Sequence, residues 1–114
     1  MSERSQKLFL VDILESIDAI SSYVEGCSFE YFCADRKTFS ATIRELEIIG
    51  EAIKNISDEI KVRNPEVLWQ EIRSFRNKIT HEYFGVDGHI VWDIIQNELE
   101  PLKQQISTIL ESLT

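Results

Sequence analysis

Aliphatic residues recur three or four positions apart almost from one end of this chain to the other, and no stretch alternates apolar with polar. That period places apolar side chains along one face of an α-helix and cannot line one face of a strand. The predicted fold class is therefore all-α. With only four glycines and two prolines in 114 residues, little of the chain is available for long irregular loops. The length suits a single domain, residues 1–114, with one modest core.

The periodicity predicts a first helix from about Arg4 to Glu25, with Leu8, Val11, Leu14 (or Ile13), Ile17, Ile20 and Val24 inward and Gly26 as its stop. A short helix begins at Ser28. Asp35 caps a long helix to about Asn55, with Phe39, Ile43, Leu46, Ile49 and Ile53 facing the core. Another short helix is capped by Ser57 and closed by Pro65, because a residue before proline avoids helical geometry. A further helix runs from Val67 to about His81 and carries Leu68, Trp69, Ile72, Phe75 and Ile79. After a turn in "FGVDGH", Asp87 caps a last helix that must kink or restart at Pro101, whose ring would meet the Asn97 carbonyl. Four long helices with short extra ones are most economically arranged as an up-and-down four-helix bundle.

Composition narrows the function classes. No apolar run approaches the ~20 residues of a membrane span. Asp12 and Glu15 break the N-terminal apolar stretch, which argues against a secretory signal and for the cytoplasm. Cys27 and Cys33 are then expected to be reduced, and their spacing fits neither a redox pair nor a zinc knuckle. The net charge of −8 opposes a broadly basic nucleic-acid surface, so any such patch must be local. Arg73, Arg76 and Lys78 are the candidates. No phosphate-cradling glycine loop and no metal-ligand spacing stand out, so neither cofactor nor metal is expected. Glu47, Glu51 and Lys54 read as pairs on a helix surface.

The densest chemistry lies in "RNKITHEYFG", residues 76–85. Arg76 and His81, five apart, are separated by about 140° on a continuous helix, whereas Asn77 and His81 share a face. A histidine can act as base or acid near neutral pH, and an arginine can hold a crowded phosphorane. Those are the parts required to cleave RNA through its own 2′-hydroxyl without metal. One chain offers one such histidine; a twofold homodimer apposes two copies of the segment in one cleft. The competing reading is an ordinary helix end, where Arg, Lys and His are favoured by the helix dipole. Tyr83 alone reads as a core-edge tyrosine, and His89 as a first-turn residue.

"RNKITHEY" resembles the R-x4-H-x-Y signature of HEPN-domain toxins of the HepT type, the partners of minimal nucleotidyltransferase antitoxins. "FSATIRELEIIGEAIKNIS" and "LWQEIRSFRNKITHEYFGVDGHIVWDII" are similar to further regions of that family in order and spacing, so the resemblance covers nearly the whole chain. It implies a homodimeric, metal-independent endoribonuclease, the toxin of a type VII toxin–antitoxin system. Arg76 would stabilise the phosphate and His81 would be the acid–base. Asn77 would orient the histidine or bind RNA (tRNA or mRNA), with Arg73 and Lys78 supporting RNA binding. Tyr83 would accept AMP from the nucleotidyltransferase antitoxin, which adds bulk and negative charge beside the cleft. Further hetero-oligomerisation with that partner is compatible with the same resemblance. The alternative is a non-catalytic helical adaptor that binds a nucleotidyltransferase.

Overall fold

The computed structural model describes residues 3–74 and 87–113, and every regular element among them is helical. Helix α1 spans Glu3–Val24. Its inward face is Gln6, Leu10, Ile13, Ile17 and Ile20, all buried, at alternating steps of four and three. The predicted stripe began instead at Leu8, which is 57 % exposed. Leu8 stands about 200° around the helix from Leu10, so both cannot face the core. Gly26, at φ 75°, ends the element in the left-handed region as expected, and the Cys27 N–H returns to the Val24 carbonyl at 2.9 Å.

The three predicted caps, Asp35, Ser57 and Asp87, are present, and Ser28, expected only as the start of a short helix, is a fourth. Ser28 Oγ accepts from the Tyr31 N–H at the start of α2 (Phe29–Ala34). Asp35 accepts from the Thr38 N–H and hydroxyl at the start of α3 (Arg36–Lys54). Ser57 accepts from the Ile60 N–H at the start of α4 (Asp58–Arg63). Each satisfies one of the donors that a helix N-terminus leaves without an intrahelical partner. On α3 the buried positions are Thr42, Leu46, Ile49, Gly50, Ala52 and Ile53, while Phe39 and Ile43 are half-buried against the same core. The Thr42 hydroxyl is satisfied within its own helix, donating to the Thr38 carbonyl at 2.9 Å.

Residues 69–74 form the described part of α5. The start at Trp69 corrects the expected start at Val67, and Leu68 corrects the expected core. Val67 is buried in the non-helical connection, whereas Leu68 is 52 % exposed. The connection after Pro65 has turned the backbone so that Val67 points inward before helical spacing begins. The predicted continuation of this helix to His81, and the turn at 84–86, lie outside the described residues.

Asp87 caps α6 (Gly88–Asn97), accepting from the His89 N–H at 2.8 Å. The last predicted helix is two elements: α6 stops at Asn97 and α7 runs Leu99–Ser112, with Glu98 between them. Pro101 therefore sits in the first turn of α7, where a missing N–H is tolerated, and the break falls one turn before it. Leu102, Ile106 and Ile109 are buried along α7 as expected. Helix α1 packs between α3 and α7, α2 lies on α3, and α6 lies on α7. Eighteen hydrophobic residues from these elements and the connections between them form one core cluster. Among the described residues no helix is long and apolar enough to cross a membrane.

Candidate nucleic-acid site

Arg76, Asn77, Lys78, His81 and Tyr83 lie outside the described residues; Arg73 lies within them. The described residues on either side of the segment end at 74 and resume at 87.

On the N-terminal side the α4–α5 corner is tied by side chains. The Asn64 Nδ2 donates to the Ile60 carbonyl at 2.9 Å, closing α4. The Trp69 indole N–H donates to the Asn64 carbonyl at 3.0 Å, and the Val67 N–H reaches the same carbonyl at 3.2 Å. Gln105 on α7 donates to the Glu66 carbonyl at 3.3 Å. The connection between α4 and α5 is thereby held to the body through its backbone. Ile72 packs against the core beside a small gap of about 10 Å³ that Leu46, Ile49, Ile94, Leu99, Leu102 and Glu98 also line.

This corner brings Arg73 on α5 close enough to Lys61 on α4 for their charges to interact. Burial lowers the Lys61 ammonium below the ordinary lysine value; Asp58 opposes that shift and the Arg73 charge adds to it. Arg73 is exposed and Lys61 half-buried. Arg73 and Lys61 stand on adjoining helices, and the Asp58 carboxylate acts on Lys61 more strongly than Arg73 does, so the corner carries mixed charge. Lys61 is twelve residues from Arg73 and shares no helix with it, so helical spacing does not connect the two. Pro65, which ends α4 and folds the chain back, was the available signal.

On the C-terminal side the chain re-enters at Asp87, the cap of α6. His89 stacks on Phe29 of α2 with ring centroids 4.4 Å apart. Trp92 meets both Phe29 and Phe32, at 6.0 Å and 5.2 Å. His89 is thus exposed and in the first turn of α6, but one face of its ring is covered.

A second surface feature is chemically opposite. A groove of about 320 Å³ between α1 and α3 carries Asp12, Glu47 and Glu51 against the single guanidinium of Arg44. Three carboxylates repel a phosphate backbone, so this groove does not suit RNA. Among the described residues, no ion pair joins Glu47 or Glu51 to Lys54. No group of three or more His, Cys, Asp or Glu among the described residues is placed to hold a metal ion. Cys27 and Cys33 are both free thiols.

The family profile described as "Ribonuclease HepT-like" matches residues 13–109, a span that includes the whole of the Arg76–Tyr83 segment. The chain belongs to the HepT-like ribonuclease family. A HepT-like relative from Thermococcus cleftensis, named "Probable ribonuclease HepT", is 44 % identical over 101 residues, covering 89 % of this chain and 92 % of that protein. A "Putative RNase" from Caldanaerobacter subterraneus subsp. tengcongensis is 39 % identical over 108 residues, covering 95 % and 96 %. Another, from Methanocaldococcus jannaschii, is 35 % identical over 113 residues, covering 99 % and 93 %. No solved structure gives a significant match. Within the HepT-like frame the step Ile49 to Ala52 sorts by burial. Ile49, Gly50 and Ala52 are core, and Glu51 is exposed at the acidic groove.

Proposed function

We propose that this HepT-like chain is a metal-independent endoribonuclease that works as a homodimer of up-and-down four-helix bundles. The observation that carries the reading is the R-x4-H-x-Y sequence at Arg76, His81 and Tyr83 inside a chain that belongs to this family along most of its length. His81 acts as acid–base on the 2′-hydroxyl and the leaving 5′-oxygen. Arg76 carries the charge of the phosphorane, a role suited to its planar, permanently charged fork. Asn77 orients the histidine or contacts RNA. Two copies meeting about a twofold axis supply two histidines and two arginines to one cleft.

Affinity for RNA in so acidic a protein requires a concentrated basic patch. Arg73, exposed on α5, supports one just upstream of the segment in sequence, and Lys78 lies within the segment. Tyr83 is the acceptor for AMP from a nucleotidyltransferase antitoxin of the type VII toxin–antitoxin class, which would add negative charge two residues from His81. The site of action is the cytoplasm.

Incubation of the purified chain with total RNA in EDTA tests the reading, with the new ends inspected for 2′,3′-cyclic phosphate. Cleavage by the parent and none by Arg76→Ala or His81→Ala is expected, with the dimer persisting in each variant. If either variant cleaves as well as the parent, the catalytic assignment is wrong. A parent that binds a nucleotidyltransferase and leaves RNA intact would be an adaptor instead.

A further inference from the structure

A chain of rings runs from the core to the surface beside the first turn of α6. Phe32, fully buried, lies between Phe39 at 5.1 Å and Trp92 at 5.2 Å. Trp92 meets Phe29 edge-on at 6.0 Å, and Phe29 lies under the His89 ring at 4.4 Å and 27°. His89 is the outermost member: it is exposed, and Phe29 covers one face of its imidazole. Among the described residues, no side chain hydrogen-bonds that imidazole and no second ring covers it. It is held by the ring beneath and by its backbone N–H, which donates to the Asp87 carboxylate at 2.8 Å. A flat surface fixed from below loses little further freedom when a second flat ring settles on it.

The charges nearby select the ligand. Asp87 stands two residues before His89, Asp93 is one helical turn after it, and Glu30 follows Phe29; all three are exposed. Those carboxylates oppose a phosphate at this spot. They do not oppose an uncharged ring, and every nucleobase has a π-face that can stack on an aromatic side chain. Cations for the adjoining backbone are not far off. Arg36 and Lys37, both exposed, open α3, one turn before Phe39. Phe39 approaches the same point as Phe29: a Cβ built on Gly88 would stand 3.8 Å from one and 3.9 Å from the other.

We propose that His89, backed by Phe29, is a base-stacking subsite that takes one unpaired nucleobase of a single-stranded RNA. Both residues bind substrate and neither moves a proton. This inference rests on the ribonuclease reading above, and adds to it that the substrate is RNA with an unpaired base.

The test measures Kd by fluorescence anisotropy, with the full chain and a mixed-sequence, single-stranded 2′-O-methyl RNA decamer. That probe lacks the attacking hydroxyl and stays whole. Removing a stacking ring typically weakens binding about five- to hundredfold per base, and His89→Ala is expected to fall in that range. The slope of log Kd on log salt should not change, because a stacked ring releases no counterion. His89→Phe keeps a ring and removes every polar atom of the imidazole, and should bind within about threefold of the parent. His89→Ala at the parent's Kd, His89→Phe as weak as His89→Ala, or a flattened salt slope in His89→Ala would each overturn the proposal.

If His89→Ala fails to show a cooperative thermal melt, a measurement without any change at that position carries the test. In the untagged His81→Ala chain, His89 is the only histidine. Its ring protons should move upfield in the NMR spectrum when the decamer is added, as they come under the ring current of a base. An unmoved or downfield signal at saturating RNA refutes the subsite. Cleavage of total RNA in EDTA by the parent is assayed alongside. Should the parent not cleave, the ribonuclease reading falls and this inference with it. Should the parent cleave while His89→Ala binds the decamer as tightly, only the inference falls.

Discussion

Gln6 offers the sharpest test of how this fold is held. Its side chain is buried, with 4 % of the residue exposed, at the joint between α3 and α4. Oε1 accepts from the Ser57 N–H at 2.7 Å, and Nε2 donates to the Asn55 carbonyl at 3.2 Å. Ser57 is the N-cap of α4, and its hydroxyl already serves the Ile60 N–H. In a capping box, a Glu or Gln three residues into the helix returns to the cap's own N–H. Here that position is Ile60, which cannot, and α1 supplies the missing acceptor from 51 residues away. Gln6→Ala leaves the Ser57 N–H without that acceptor, for about 1–3 kcal/mol, and removes a second bond worth about 1 kcal/mol. Asn55 is half-buried, so water recovers part of the second bond. A net loss of about 2–3 kcal/mol, with a urea slope near 1.5 kcal/mol/M, lowers the midpoint by roughly 1.3–2 M at unchanged slope.

Gln6→Glu separates the two bonds. Its carboxylate keeps the Ser57 contact but faces the Asn55 carbonyl without a proton, and burial raises its folded pKa above the unfolded value of about 4.3. The folded state then binds the proton more tightly. Relative to the parent, the variant's deficit is smallest below pH 4 and grows as pH rises through the raised folded pKa. A Gln6→Ala midpoint within about 0.3 M of the parent would refute the cross-helix cap, given the slope above. A Gln6→Glu deficit independent of pH would refute the role given to Nε2.

Other expectations follow from single contacts. Arg73→Ala and Lys78→Ala should each weaken RNA binding and flatten the dependence of log Kd on log salt by about 0.7, read by filter binding from 50 to 200 mM salt. Asp87→Ala removes the α6 cap and should destabilise by about 1 kcal/mol in urea melts, with Asp87→Asn close to the parent. Tyr23 donates to Glu45 at 3.0 Å, and that hydrogen bond, with the carboxylate charge, raises the phenol above its ordinary value of 10.0. Its contribution is therefore complete below pH 10 and lost as pH rises through the folded pKa, and Tyr23→Phe should remove that part of the alkaline fall in Tm. Lys103, raised by its ion pair with Asp18 at 3.0 Å, should behave with the same sign, and Lys103→Met should remove its share.

Most of what is local among the described residues was legible in the sequence. Helical spacing, the caps at Asp35, Ser57 and Asp87, the Gly26 stop and the break before Pro101 each depend on residues within one or two turns of one another. The R-x4-H-x-Y pattern belongs to the same class, because the motif is contained in eight consecutive residues. What the tertiary structure decided depends on the rotation of one helix against another, which short-range spacing does not encode. Leu8 and Leu10 are equally apolar, and only the placement of α3 and α7 puts Leu10 inside. Leu68 is exposed because the connection after Pro65 turns Val67 inward. The same kind of placement brings Gln6 to Ser57, Lys61 to Arg73 and Phe29 to His89. These meetings join residues 12 to 60 positions apart. None is marked by periodicity, because each requires the core to have formed first.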